Sequence, residues 1–283
     1  MSYFELLNEK RIAEADAARV ASIPKYLYKF VALSEDEKKN ERKFKTLFDQ
    51  QVRFSKPVLL NDPYEFQGMI IDKEVLRSHS YPEEVIDFFH VLLNEQTENY
   101  AILSLSANAI DNIPMWAYYA NDYHGFCVEY AVNDPRLFYE VQYVSNRMAV
   151  NSIITNLYRS VMLLKAGDKS AKTDFEFYSR IVLQQFCIKH ESWQHEKEYR
   201  ATIPCKDPKG ININLSDVGL STNRIIAGIN CSPEHIDRLN QISNHLGCGN
   251  VLQTQIHETS YTLLTDTKTN VSADNKDEEA AHD

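Results

Sequence analysis

Two glutamates stand two residues apart in the most polar stretch of the sequence, residues 189–200. If a strand covers this region, side-chain alternation places Glu196, Glu198 and Arg200 on one face and Tyr199 on the other. Carboxylates about 7 Å apart on one strand face can divide two roles. One stabilises a developing positive charge and the other orients an acceptor, while Arg200 offsets their repulsion. The plainer interpretation is an exposed sheet face with alternating charge, and spacing alone favours it.

The same stretch contains His190 and His195, which invite a zinc interpretation. A metalloprotease helix places its two histidines four residues apart, whereas these two are five apart and would point to different sides of a helix. We therefore expect two solvated histidines and no metal cofactor.

Two serines lie on a second candidate strand around Ala101–Leu105. Ser104 and Ser106 alternate with leucines, so their hydroxyls share one face. No G-x-S-x-G turn surrounds Ser104, which argues against a serine hydrolase. Trp116 and Tyr119 follow at helical spacing, which is more often typical of core packing than of ligand stacking.

A third polar cluster follows a candidate strand at Val58–Leu60. Asn61 and Asp62 precede a proline, a combination that favours a turn. The plain interpretation is a capped loop. The alternative is that Asp62 and Glu65 point into a cleft.

The number and spacing of the glycines exclude two common nucleotide-binding loops. The 283 residues include only eight glycines, and none of their spacings gives a dinucleotide-binding G-x-G-x-x-G or a phosphate-binding loop. The net charge of −10 disfavours non-specific binding of duplex DNA, although a local basic cleft is compatible with it. The five cysteines are scattered and include no C-x-x-C pair, which indicates free thiols in a reducing compartment.

The pattern of elements predicts an α+β fold with mixed, mainly antiparallel sheets, because candidate strands outnumber helices without alternating with them regularly. We expect a single domain over residues 1–264 with a central helical insertion at about 146–188. Residues 265–283 are rich in acidic residues and lack aromatic ones, which predicts a disordered tail. With no apolar run long enough to cross a membrane, we expect a cytoplasmic protein without a membrane partner.

Four blocks in this order resemble a bacterial family catalogued as domain of unknown function 2971. The resemblance covers about residues 25–230. The blocks are Leu27–Phe30, Phe54–Glu65 with Asn61-Asp62-Pro63, Leu105–Gly125 with Met115-Trp116-Ala117, and Lys189–Arg200 with Glu196-Lys197-Glu198-Tyr199-Arg200.

The layout of these blocks is similar, more distantly, to ADP-ribosyltransferases of the Arg-Ser-Glu type. That resemblance implies NAD as the substrate and implies roles by position. Glu198 would be the catalytic glutamate and Glu196 would orient the acceptor. The residues that would contact the cofactor are Lys29, Ser104, Ser106, Trp116, Tyr119, Arg200, Asn61, Asp62 and Glu65. Two positions depart from the pattern, since Lys29 replaces arginine and Leu105 replaces threonine.

The leading hypothesis is an NAD-binding protein that resembles an ADP-ribosyltransferase or NAD glycohydrolase and acts on an unknown macromolecular acceptor, in a toxin or phage-defence setting. The first alternative is a non-catalytic sensor module that binds a nucleotide or a protein. The second is a metal-dependent nuclease that uses Asp62, Glu65, Glu196 and Glu198.

Overall fold

The structure, a computed structural model, describes residues 3–108 and 110–266. The strands in these ranges are β1 (Tyr26–Val31), β2 (Gln51–Phe54), β3 (Met69–Ile70), β4 (Tyr100–Ser106), β5 (Phe126–Val132), β6 (Phe138–Glu140), β7 (Gln142–Val144), β8 (Met148–Ala149), β9 (Ile188–His190), β10 (Glu198–Pro204), β11 (Ile211–Asn214), β12 (Leu220–Ala227), β13 (Leu252–Ile256) and β14 (Leu263–Asp266). The α-helices are α1 (Tyr3–Asn8), α2 (Ile12–Ser22), α3 (Glu37–Phe48), α4 (Lys73–Ser78), α5 (Glu83–Glu95), α6 (Ile113–Tyr119), α7 (Asn151–Lys165), α8 (Lys172–Leu183) and α9 (Pro233–Leu246).

Eight of these strands form one sheet in the order β14-β13-β12-β5-β1-β4-β10-β6. The β12–β13 pair is parallel and every other neighbouring pair is antiparallel. The remaining strands form the short pairs β11–β2, β3–β8 and β7–β9. This architecture confirms the predicted α+β fold with mainly antiparallel strands.

The main hydrophobic core lies between the sheet and the helices α3 and α9. Helix α9 shows how the sequence determines one of these elements. Ser232 accepts a hydrogen bond from the backbone N–H of His235, and the next residue is a proline at the first helical position. Leu239 and Ile242 then face the core, and Gly247 ends the helix with φ of +71°.

The predicted helical insertion consists of α7 and α8, which separate at Gly167, where φ is +91°. Together with α4 and α5 these helices form a second core around Phe89 and Ile154. A 3-10 turn at Gln184–Cys187 connects α8 to β9, which pairs with β7 near the end of the sheet that carries β10 and β6.

Strands β1 and β4 are neighbours in the sheet but scarcely pair. Only Tyr28 and Ser106 are matched between them, whereas β1 matches six residues of β5 and β4 matches seven of β10. At the other end of β4, Ile102 exchanges two backbone hydrogen bonds of 2.8 Å with Ser55 instead. The edge of β4 around Ser104 therefore faces a gap in the sheet.

The predicted strand at Val58–Leu60 is wrong. Pro57–Leu59 forms a single 3-10 turn, and the strand before it is β2. Pro57 has no N–H for a ladder hydrogen bond and its fixed φ suits the first position of a helical turn. Val58 is 84% exposed, so no partner strand covers it.

The predicted tail begins at residue 265, but β14 continues to Asp266, two residues beyond the predicted domain boundary. The rest of the predicted tail, 267–283, lies outside the described residues.

Within the described ranges, no helix combines the length and apolar character needed to cross a membrane. All five cysteines are free thiols.

Candidate functional site

Strand β10 carries a buried ion network on the face opposite the core. Tyr199 and Ala201 pack into the main core, whereas Glu198 and Arg200 point the other way, as the alternation predicts. The Arg200 guanidinium donates to both Glu198 oxygens, at 2.7 and 2.9 Å, and to both Glu65 oxygens, at 2.5 and 3.1 Å. Its fifth N–H bonds to the Phe186 carbonyl oxygen at 2.8 Å. The favoured interpretation of an exposed face is therefore wrong, because Glu198 and Arg200 are buried.

The second glutamate reaches the site from a turn rather than from the strand. Glu191–Glu196 form a 3-10 helix that ends at Lys197, where φ is +44°, and β10 begins one residue later. The left-handed residue breaks the alternation that the sequence predicts for Glu196. The Lys189 ammonium bridges both carboxylates, at 2.5 Å from Glu196 and 3.4 Å from Glu198.

Strand β4, which carries Ser104 and Ser106, forms another side of the site. Ser104 lies opposite Arg200 in the β4–β10 pair, and its hydroxyl donates to Glu198. The Ser106 hydroxyl donates instead to the backbone carbonyl oxygen of Glu196, at 2.7 Å, and so fixes the turn. In the gap between β1 and β4, the Lys29 ammonium donates to the Ser104 carbonyl oxygen at 2.8 Å. The Lys29 side chain thus supplies a hydrogen bond between the two strands where backbone pairing is missing.

The two glutamates have opposite pKa shifts. Burial alone would raise the pKa of Glu198, but Arg200 and Lys189 outweigh it and lower this pKa to about 2. Burial and the neighbouring Glu198 charge raise the pKa of Glu196 above its ordinary value, even though Lys189 opposes that shift. Burial lowers the pKa of Lys29, against the attraction of both carboxylates. Glu198 therefore stays ionised, while Glu196 is the carboxyl group that takes up a proton more readily.

These side chains surround one cavity of about 360 Å³. Its apolar wall comes from Leu59, Leu60, Met115 and the rings of Tyr118 and Tyr119. The Tyr119 hydroxyl donates to Glu196 and accepts a 3.0 Å hydrogen bond from Asn61. The cavity brings together these residues of the predicted site: Lys29, Asn61, Glu65, Ser104, Ser106, Tyr119, Glu196, Glu198 and Arg200.

Two of the predicted cofactor contacts do not line this cavity. Trp116 is fully buried, with its ring edge-on to Phe30 at 5.1 Å and stacked on Tyr123 at 6.2 Å, so it packs in the core rather than against a ligand. Asp62 is also buried, and its carboxylate accepts from the backbone N–H of Tyr64 at 2.9 Å, so it shapes the turn. These positions follow the plainer interpretations of core helix and capped loop.

Arg200 lines the cavity, but its geometry does not suit a phosphate. All five of its N–H donors are used by Glu65, Glu198 and Phe186. The predicted cofactor contact of Arg200 stays a prediction, and in the structure Arg200 is the internal counterion of two glutamates.

Sequence reasoning missed the role of Lys189. It is buried, bridges both glutamates, and lies 4.7 Å from the ring centroid of Trp193. The only available signal was the position of a lysine at the start of the polar cluster. No spacing rule connects it to glutamates seven and nine residues later.

Of the four carboxylates proposed for a metal-dependent nuclease, Glu65, Glu196 and Glu198 line the cavity but are paired with protein cations, and Asp62 lies outside it. Glu65 and Glu198 face the Arg200 guanidinium, Glu196 faces Lys189, and Asp62 caps its own turn. In the ranges 3–108 and 110–266, no group of three or more histidine, cysteine, aspartate or glutamate side chains has the arrangement to hold a metal ion.

Comparison with protein families gives a match that overlaps this site. Residues 115–201 match the family described as "Protein of unknown function (DUF2971)". The match runs from α6 to β10 and so includes Tyr119, Glu196, Glu198 and Arg200. It supports the predicted family resemblance over these residues, and the family description states no activity. Searches of the curated proteins and of the solved structures found no significant match.

The depressed pKa of Glu198 predicts how stability depends on pH. A carboxylate whose folded pKa is about 2, against an ordinary 4.5, stabilises the fold above pH 4.5, and this contribution is lost as the pH falls toward 2. Between pH 6 and 3 the loss is about 2 kcal/mol. Urea unfolding of the wild type should therefore show a steeper acid-side fall in the free energy of unfolding than Glu198→Gln. Equal slopes would contradict the pKa assigned to Glu198.

Proposed function

We propose that the cavity binds the nicotinamide–ribose half of NAD and that the protein breaks the bond between them, passing ADP-ribose to water or to a macromolecular acceptor. The observation that carries this proposal is Glu198. It is an ionised carboxylate on a rigid strand, hydrogen-bonded by Ser104 and lining the cavity. The serine-to-glutamate contact accords with the Arg-Ser-Glu resemblance of the sequence.

The chemistry needs a fixed negative charge beside the ribose. When the bond from the ribose C1′ to nicotinamide breaks, its electron pair leaves with nicotinamide and positive charge develops on the ribose ring. A preorganised carboxylate stabilises that charge without reorganising during the reaction. Ser104 and Arg200 hold Glu198 in one orientation, and its 3.4 Å contact with Lys189 is the longest of its hydrogen bonds. A ribose hydroxyl can take the place of that contact.

Glu196 is suited to accept the proton that the reaction releases. The nucleophile that attacks C1′ must lose a proton, and a carboxylate with a raised pKa accepts one more readily than Glu198 does. Tyr119 and Lys189 hold Glu196 at the same cavity. Two carboxylates with divergent pKa values, one permanently charged and one able to carry the proton, match the two requirements of the reaction.

The test is to incubate the purified full chain with NAD, alone and with cell lysate, and to follow free nicotinamide and ADP-ribose by chromatography. We expect nicotinamide in both reactions, with ADP-ribose either free or attached to a lysate component. If neither reaction releases nicotinamide, the proposal fails.

A second candidate function is a nucleotide sensor that does not turn over its ligand. The favouring observation is that Arg200 and Lys189 neutralise the carboxylates within the protein, as in a structural ion network. A thermal-shift series with NAD, nicotinamide and ADP-ribose separates the two candidates. Stabilisation by NAD that persists for hours without nicotinamide release would favour the sensor.

A further inference from the structure

A second cavity, of about 800 Å³, lies beneath α3. Its floor includes Val128 and Tyr130 of β5. These residues flank Glu129, which lies opposite Tyr28, and Tyr28 lies opposite Ser106 of β4. Because matched residues of antiparallel strands share a face, the floor is on the other face of the sheet from the carboxylate cavity.

The rim of this cavity is strongly basic although the whole chain carries a net charge of −10. Among the described residues that line it, Asp49 alone is acidic, and the basic ones are Lys29, Lys39, Arg42, Lys43, Lys45 and Arg53. Asp49 pairs with Lys45 at 2.7 Å, and Lys39 pairs with Asp36. Among the described residues, no carboxylate forms an ion pair with Arg42, Lys43, Arg53 or Lys29.

Two of these cations, Lys43 and Arg53, are held at the cavity by neutral partners. Lys43 is half-buried and donates to the Ala32 carbonyl oxygen at 2.6 Å. Arg53 donates to the side chain of Asn212 at 3.2 Å and to the Lys209 carbonyl oxygen. Neighbouring positive charges that lack a direct carboxylate partner repel one another, and a bound anion relieves that repulsion.

We propose that this cavity binds a nucleotide, with its phosphates at Arg42, Lys43 and Arg53 and its base against the apolar floor. An apolar floor with cations at the rim matches a ligand that has an apolar body and an anionic end. The volume suits a mononucleotide or a dinucleotide.

Lys29 links this site to the carboxylate cavity, because its side chain lines both. A phosphate that attracts the Lys29 ammonium would weaken its hydrogen bond to Ser104 in the sheet gap. The proposed site does not depend on NAD cleavage, and its binding test needs no catalytic activity.

The experiment is isothermal titration of the full chain with ADP, adenosine and inorganic pyrophosphate. We expect ADP to bind about tenfold more tightly than either fragment. Arg42→Glu should weaken ADP binding by about tenfold or more. Lys38→Glu is the matched control, since Lys38 is exposed on the same helix but does not line the cavity, and it should leave the dissociation constant near the wild-type value.

A second measurement locates the ligand without a variant. Burial lowers the pKa of Lys43, which makes its amine more reactive toward acetic anhydride. ADP should protect Lys43 from acetylation, as measured by mass spectrometry, and should leave Lys38 unprotected.

Four results would overturn the proposal. The first is the absence of ADP binding at millimolar concentration. The second is an equal loss of binding in Arg42→Glu and Lys38→Glu, and the third is binding that depends on Glu198 but not on Arg42. The fourth is binding of a single-stranded oligonucleotide without binding of ADP, which would make the partner a nucleic acid.

Discussion

Replacing Glu198 by glutamine should reduce nicotinamide release from NAD by about 100- to 1,000-fold. The side chain keeps its shape and one carbonyl oxygen, so the hydrogen bond from Ser104 can persist. What is lost is the negative charge that faces the developing positive charge on the ribose. The loss should appear in kcat rather than in KM, because that charge develops in the transition state.

The matched control for this variant is Glu129→Gln. Glu129 is also a buried glutamate on the sheet, bonded by Tyr28 at 2.8 Å and paired with Arg224 at 2.8 Å, but it does not line the carboxylate cavity. Both variants lose one buried charge, so both should melt at lower temperature than the wild type. Only Glu198→Gln should lose turnover. A comparable loss of kcat in both folded variants would mean that Glu198 supports the fold rather than the reaction.

Replacing Arg200 by methionine should destabilise the fold by about 3–5 kcal/mol. The guanidinium is the counterion of both Glu65 and Glu198, and its removal leaves two buried carboxylates, of which Glu198 keeps its 3.4 Å contact with Lys189. The Phe186 carbonyl oxygen also loses the Arg200 donor. Urea unfolding followed by circular dichroism measures this effect.

Arg224→Met provides the comparison for Arg200→Met. Arg224 also pairs with a buried glutamate, but its own side chain is 43% exposed and Glu129 keeps hydrogen bonds from Tyr28 and Asn223, so the same substitution should cost less than Arg200→Met. Where Arg200→Met does not fold at all, the double variant with Glu65→Gln should recover part of the stability, because one of the unpaired charges is gone. Equal unfolding midpoints for Arg200→Met and Arg224→Met would contradict the network described above.

The sequence predicted the strand-borne part of the site best. A strand fixes side-chain direction by simple alternation, which is why Ser104, Ser106 and Glu198 lie where the pattern predicts. Alternation does not say what covers the polar face. The burial of that face depends on Glu65 from a distant loop and on the backbone before β9, and neither contact has a local signature.

The remaining errors have a similar physical origin. Glu196 lies outside the strand predicted for it, because the next residue, Lys197, adopts a left-handed conformation that is uncommon for a lysine. Lys189 was missed because its partners are set by the path of the chain through a short helix rather than by a repeat. Trp116 is buried in the core, which is the usual position of an aromatic residue on a short helix.

Only one matched pair joins β1 and β4, so the sheet consists of two groups of strands with little backbone pairing between them. One group, β4 with β10 and β6, carries Ser104, Glu198 and Arg200, and the other, β1 with β5 and β12, carries Lys29. A relative rotation of the two groups breaks fewer matched backbone pairs than a rotation at any other joint between neighbouring strands of this sheet. Across this joint the Lys29 ammonium, which lines the carboxylate cavity, supplies a side-chain hydrogen bond to the Ser104 carbonyl oxygen where backbone pairing is missing.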